Sequence, residues 1–212
     1  MKLREKNLKI LKNNHVYSEE MEHDACGVGV IVSTEGKKSR TIVEYGIEAL
    51  KAVWHRGAVD ADGKTGDGAG IHLEIPKDFF IEKIDVTGHE HDNSEICVGM
   101  IFLPRNDYSA QETCKTIVES ELTKNNFSIY GWRQVPVNPK ILGEKAFQTM
   151  PEIMQVLFKS NDKNLLDKNL ERKIYETRKK IENKAFQLSL NNFYICSISS
   201  KSIIYKGLYL AE

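Results

Sequence analysis

Cys26-Gly27-Val28-Gly29-Val30-Ile31-Val32, preceded by Glu22-His23-Asp24-Ala25, decides how this chain is read. A cysteine stands at the mouth of a short apolar run containing glycine. That run reads as a strand over 27–33, buried on both faces. The 25 residues before it are largely polar and show no obvious core. This is the layout an N-terminal nucleophile needs. Cleavage between Ala25 and Cys26 leaves a terminal cysteine that carries nucleophile and base in one residue. Its α-amino group, with an ordinary pKa of about 7.7–8.0, can take the thiol proton directly or through one water. No histidine base is required. The competing reading is a core cysteine at a strand start, an ordinary thiol with a pKa of about 8.5. Taken alone, CGVG favours that second reading.

Outward from this stretch, residues 1–25 read as a detachable leader. Ser39 is a plausible N-cap for a helix over about 40–54, with Ile42, Val43, Ile47, Leu50 and Val53 at helical spacing. Gly57 to Gly70 holds five glycines and three aspartates and is a turn-rich loop. It leads into a strand over 69–75, after which Pro76 opens a short helix through Phe79 and Phe80. Residues 85–94 read as a surface loop and 96–103 as a strand that Pro104 stops. A helix over 109–125 turns Cys114, Ile117, Val118 and Leu122 inward. Strands near 127–137 and 152–158 are followed by a polar connector over 159–168. The helix over 169–188 carries an inner stripe of Ile174, Ile181, Ala185 and Leu188. Two last strands, 192–198 and 202–206, are joined by Ser199-Ser200-Lys201, a hairpin signal. Helices alternate with strands that adjoin as hairpins, which predicts an α+β fold rather than a purely parallel sheet.

The 212 residues suffice for one domain with a sizeable core. Thirty basic and thirty acidic side chains balance, so no nucleic-acid partner is implied. Apolar runs fall far short of the roughly 20 residues that span a bilayer, and the leader lacks the apolar core of a secretory signal. A cytoplasmic protein with no membrane partner is expected. Cys26, Cys97, Cys114 and Cys196 form no CxxC pair, which argues against a zinc site and a disulfide framework. Cys97 and Cys196 read as buried strand residues, and Cys114 as facing the core from a helix.

The other candidates each admit a plain reading. Gly27 and Gly29 allow close backbone approach, which suits either a substrate or tight strand packing. Asp67, in Gly66-Asp67-Gly68-Ala69-Gly70, superficially resembles part of a phosphate loop. It lacks the following Lys-Ser/Thr and runs into a strand, so nucleotide binding is rejected. Asp67 is expected to brace the turn and to sit near a pocket. His55 reads as a packing or hydrogen-bonding residue. His89 and His91 read as solvated loop residues, not metal ligands. Trp132 reads as a large buried anchor and Arg133 as structural.

Beyond CGVG, the chain carries in one order HDACGVG, GKKS, HRGA, TGDGAGI, IPKDFF, GMIFLP, GWRQVPV, PEIMQVLF, RKKIEN and FYICSISSKSIIYKG. In this it resembles the glutamate synthase large subunits, at the class II glutamine amidotransferase domain that opens them. The resemblance runs from about residue 21 to the last residue. It implies an N-terminal nucleophile hydrolase fold, an αββα sandwich of two antiparallel sheets between helices. It implies a leader over 1–25 and an amidotransferase domain over 26–212. Cys26 would attack the glutamine side-chain amide, and the γ-glutamyl thioester would be hydrolysed to glutamate, giving ammonia for glutamate synthesis from 2-oxoglutarate.

The resemblance further suggests that Arg56, with Gly57, holds the terminal cysteine in place. The plain alternative is a surface arginine at a helix C-terminus. The family's carboxylate-gripping Arg-Phe-Ser-Thr segment and oxyanion-hole His-Asn-Gly-Glu segment do not occur here. The expectation is therefore the first part of the domain only, inactive on its own. No cofactor is expected in this chain, since FMN and an iron–sulfur cluster belong to the downstream part of the resembled enzyme. Glutamine, the rest of the large subunit and a small subunit are the expected partners. The alternatives are a class II amidotransferase of purine, asparagine or amino-sugar synthesis, or an inactive truncated remnant. The leader and the GWRQVPV and FYICSISS segments speak against the first.

Overall fold

The computed structural model describes residues 2–14, 18, 27–54, 57–92, 94–165, 167–208 and 210. Among the described residues, six α-helices and six strands run in the order α1 (Lys2–Asn14), α2 (Arg40–Ala52), β1 (Ala69–Glu74), α3 (Lys77–Val86), β2 (Ile96–Leu103), α4 (Tyr108–Lys124), β3 (Phe127–Gln134), α5 (Glu144–Thr149), β4 (Glu152–Ser160), α6 (Asp167–Gln187), β5 (Tyr194–Ser199) and β6 (Ser202–Gly207). Local chemistry sets several boundaries. Ser39 caps α2 by accepting the Thr41 N–H at 3.2 Å, and Asp107 caps α4 by accepting that of Ala110 at 2.9 Å. Among the described residues no helix is long and apolar enough to cross a membrane.

Both sheets are antiparallel, one ordered β3-β4-β2-β5 and the other pairing β1 with β6. The alternation along β2 shows how they stack. Cys97, Ile101 and Leu103 join a core with Cys114, Val118 and Leu122 of α4 and Leu170, Ile174 and Ile181 of α6. Ile96, Val98 and Met100 face the other way, onto Ile203 of β6 and onto Phe80 and Ile84 of α3. α2 packs on β1, where Gly46 passes so close to Ile71 that a Cβ would lie 3.3 Å from its Cδ1. The layers are therefore α4 and α6, the four-stranded sheet, the two-stranded sheet, and α2. This is the two-sheet α+β arrangement expected of an N-terminal nucleophile hydrolase.

Several expectations need correcting. Residues 27–33 are not a buried strand. Val28, Val30 and Val32 are 86%, 79% and 72% exposed. The segment has strand composition but no ladder partner among the described residues, and a strand without a neighbour leaves its N–H and C=O groups to water. α1 and α5 have no counterpart among the expected elements, and α3 runs on to Val86, into the first residues of the stretch 85–94 read as a loop.

Residues 194–207 are not a hairpin ladder. Ser199-Ser200-Lys201 instead carries the chain from one sheet to the other, with β5 on β2 and β6 on β1. Side chains replace the ladder here. Ile204 N–H donates to Ser197 Oγ at 3.1 Å, and Glu171 accepts from the Ser199 hydroxyl and from both the N–H and hydroxyl of Ser200.

Leu188 is exposed because α6 stops at Gln187 and Ser189 turns left-handed (φ 56°), so Leu190 packs against the core in its place. Trp132 is only half-buried, with its indole N–H donating to Glu119 at 2.7 Å. His89 and His91 are less free than their composition suggests. Their rings lie 6.2 and 6.3 Å from that of Tyr130, and His91 Nε2 is 3.0 Å from the Ser94 carbonyl oxygen.

Cys97, Cys114 and Cys196 are buried free thiols, as the sequence suggests. Burial pushes all three thiols up, Cys114 to about 11. Only the thiolate reacts. A thiol reagent at neutral pH should therefore titrate at most one of the four cysteines in the native protein and all four in denaturant. Rapid native reaction of three or more would contradict this core.

Candidate active site

Cys26, His55 and Arg56 lie outside the described residues. Gly27, Gly57 and Asp67 are described, and the fold gathers them. Gly27 and Asp67 line one open cleft of about 1260 Å³ at an end of the two-stranded sheet. Gly57 backs Asp67 from behind. A Cβ on it would lie 3.2 Å from Asp67 Oδ1 and 3.4 Å from the Trp54 carbonyl oxygen. Gly29 is different. Among the described residues nothing lies within 4 Å of where its Cβ would be, so they offer no close approach of the kind expected of it.

The loop from Gly57 to Gly68 is a miniature hairpin. Asp67 N–H donates to the Ala58 carbonyl at 3.1 Å, Asp60 N–H donates to that of Thr65 at 2.8 Å, and Val59 bridges Gly66. Its tip is built on Asp62, whose carboxylate accepts from the N–H groups of Lys64 (2.9 Å) and Thr65 (2.7 Å) and from the Thr65 hydroxyl (2.6 Å). The Thr65 hydroxyl above all, then these N–H groups, hold the Asp62 carboxyl well below the usual carboxylate range. Asp67 therefore leaves the loop tip already braced by Asp62, and its own side chain is exposed beside the cleft. Gly68 follows with φ 122°, a conformation other residues rarely adopt, and Gly70 enters β1 where a Cβ would collide with Lys206 Cβ and the Tyr205 carbonyl oxygen, each 2.8 Å away.

Two cations share the cleft with Gly27 and Asp67. Arg105 lies over the Phe147 ring at 4.8 Å, and Lys206 lies over Tyr194 at 4.4 Å while donating to its hydroxyl at 2.8 Å. Cations so placed suit a ligand that carries a carboxylate. Sequence reasoning missed both, and it missed Asp62 and Thr65. The Asp-x-x-Thr spacing at 62–65 was a legible signal, since a short acceptor side chain bonds the backbone two and three residues on. Among the described residues no cluster of three or more His, Cys, Asp or Glu side chains could hold a metal ion.

The model of the class-II glutamine amidotransferases matches residues 26–212. The chain is 52% identical over 206 residues to the glutamate synthase [NADPH] large chain of Azospirillum brasilense, covering 97% of this chain and 14% of that protein. It is 39% identical over 198 residues to the ferredoxin-dependent glutamate synthase of Antithamnion sp., covering 90% and 13%. It is 38% identical over 193 residues to a ferredoxin-dependent glutamate synthase of Arabidopsis thaliana, covering 90% and 12%. The chain thus spans about one seventh or less of the length of these relatives.

Proposed function

Since the chain belongs to the class II glutamine amidotransferases, we propose that Cys26 becomes its N-terminus and hydrolyses the side-chain amide of glutamine. The observation that carries this reading is where the family match begins, at the cysteine the sequence singles out. Residues 1–25 are the leader and 26–212 the amidotransferase region. The freed α-amine takes the thiol proton, sulfur adds to the amide carbon, and the same amine protonates the departing ammonia. Water then cleaves the γ-glutamyl thioester to glutamate. Gly27 continues the backbone from the nucleophile into the cleft, with Asp67 and Gly57 behind it. Arg56 holds the cysteine and its loop, and Arg105 or Lys206 meets the substrate carboxylate.

The parent activity we assign is glutamate synthesis from glutamine and 2-oxoglutarate, on the strength of the similarity to glutamate synthases. FMN and an iron–sulfur cluster would serve that reaction from outside this chain. The remaining large-chain regions and a small subunit are the partners, and the cytoplasm is the compartment.

N-terminal sequencing of active protein should begin Cys-Gly-Val-Gly. An internal amide nitrogen cannot act as the base, so full activity with residues 1–25 attached would overturn the assignment.

A further inference from the structure

α5 begins without a cap of its own. Its N-cap residue is Gly143, which has no side chain to accept the first helical N–H groups. The cap comes from far away in sequence. The Thr65 hydroxyl accepts the Ala146 N–H at 3.3 Å while donating to the Asp62 carboxylate at 2.6 Å, which holds it in place. Thr65 is 6% exposed, so this junction is dry. Glycine at 143 is obligatory for it. A Cβ there would fall on Asp62 Oδ2 and Thr65 Oγ1, with Thr65 N at 2.6 Å. An ion pair from Lys145 to Asp60, at 2.6 Å, fastens the rim.

The two parts joined here are opposite pieces of the site. On one side is the loop that presents Gly57 and Asp67. On the other is α5, whose Ala146 lines the cleft and whose Phe147 lies under Arg105. We propose that Asp62 and Thr65 are positioning residues: Thr65 caps α5 across the chain, Asp62 holds its hydroxyl, and together they lock the α5 wall of the cleft to the loop that presents Gly57 and Asp67. They touch no reacting atom and act by fixing the distance between the two walls. The role in turnover rests on the glutamine reading above, whereas the coupling of loop and helix does not.

The test uses the full-length protein and three substitutions. Thr65→Val removes the hydroxyl at nearly constant volume, Thr65→Ser keeps it, and Gly143→Ala attacks the junction from the helix side. Hydrogen exchange at the Asp60 and Asp67 amides should quicken about tenfold in Thr65→Val and in Gly143→Ala, with β2 amides unchanged. For glutamine hydrolysis, kcat/KM should fall about tenfold or more in Thr65→Val and return to within about threefold of wild type in Thr65→Ser.

Unchanged loop exchange in both disruptive variants defeats the coupling. An active wild type whose Thr65→Val variant keeps kcat/KM within about twofold defeats the positioning role, as does failure of Thr65→Ser to restore it. If β2 exchange rises with the loop in Thr65→Val, that variant has lost its core and Gly143→Ala decides both readouts. A complete enzyme, carrying the regions beyond this chain, that is inert on glutamine defeats the functional reading and the role in turnover, while exchange still decides the coupling.

Discussion

Cys26→Ser should abolish glutamine-dependent activity, lowering it roughly 10³-fold or more, the order seen when a nucleophile is lost. Cysteine is already a few per cent thiolate at neutral pH and is intrinsically very nucleophilic. A serine hydroxyl must lose its proton to the α-amine during attack, and that proton is held far more tightly than a thiol's. In the complete enzyme, which carries the downstream regions, synthesis of glutamate from added ammonia should survive, because that step does not use the thiol. Both activities are read on the same preparation, with unfolding midpoints as the control. Equal loss of both would make Cys26 a folding residue instead.

The second large effect belongs to the core. Phe158→Ala should destabilise the fold by about 3–5 kcal/mol, the usual cost of emptying a large buried aromatic site. Phe158 is fully buried on the helical face of β4, and its ring meets that of Phe127 edge-on at 5.3 Å and 87°. The pocket is walled by α4, α6 and two neighbouring strands, so it has little freedom to collapse. The midpoint of denaturant unfolding measures the effect. A loss below about 1 kcal/mol would mean that these layers pack more loosely than described.

The elements most legible in the sequence were those marked by an unbroken apolar run with a clear stop or by a helical stripe of apolar residues. β2 has the bounds its apolar run predicts, stopped by Pro104, and α4 buries the four side chains its spacing selects. The failures share another cause. The apolar run at 27–33 carries a strand's composition, yet a strand exists only with a partner, and composition holds no information about partners. Ser197 and Ser199 to Lys201 look like an ordinary turn because hydroxyls that replace ladder bonds resemble hydroxyls in any loop. α5 was invisible for a similar reason. It is six residues long, and its cap belongs to Asp62 and Thr65, far upstream. At the site, motif order singled out Cys26, Gly57 and Asp67, and the cleft brings Gly27 and Asp67 together. Arg105 and Lys206 escaped because one cation among thirty basic side chains carries no mark in a linear reading.

The pairing of β1 with β6 sets an order of events during synthesis. Ala69 meets Gly207 and Glu74 meets Ser202, so the smaller sheet closes a loop that encloses every element from α3 to β5. Such closures are entropically slow compared with local ones. A ribosome will have released α4, β3, β4 and α6 before β6 emerges, and the Gly68 turn meets Gly207 only after them. Among these elements, the end of the cleft lined by Gly68 and Gly207 is therefore the last to set. Under the proposed reading, in which cleavage before Cys26 frees the thiol, that cleavage is expected to follow the pairing of β1 with β6.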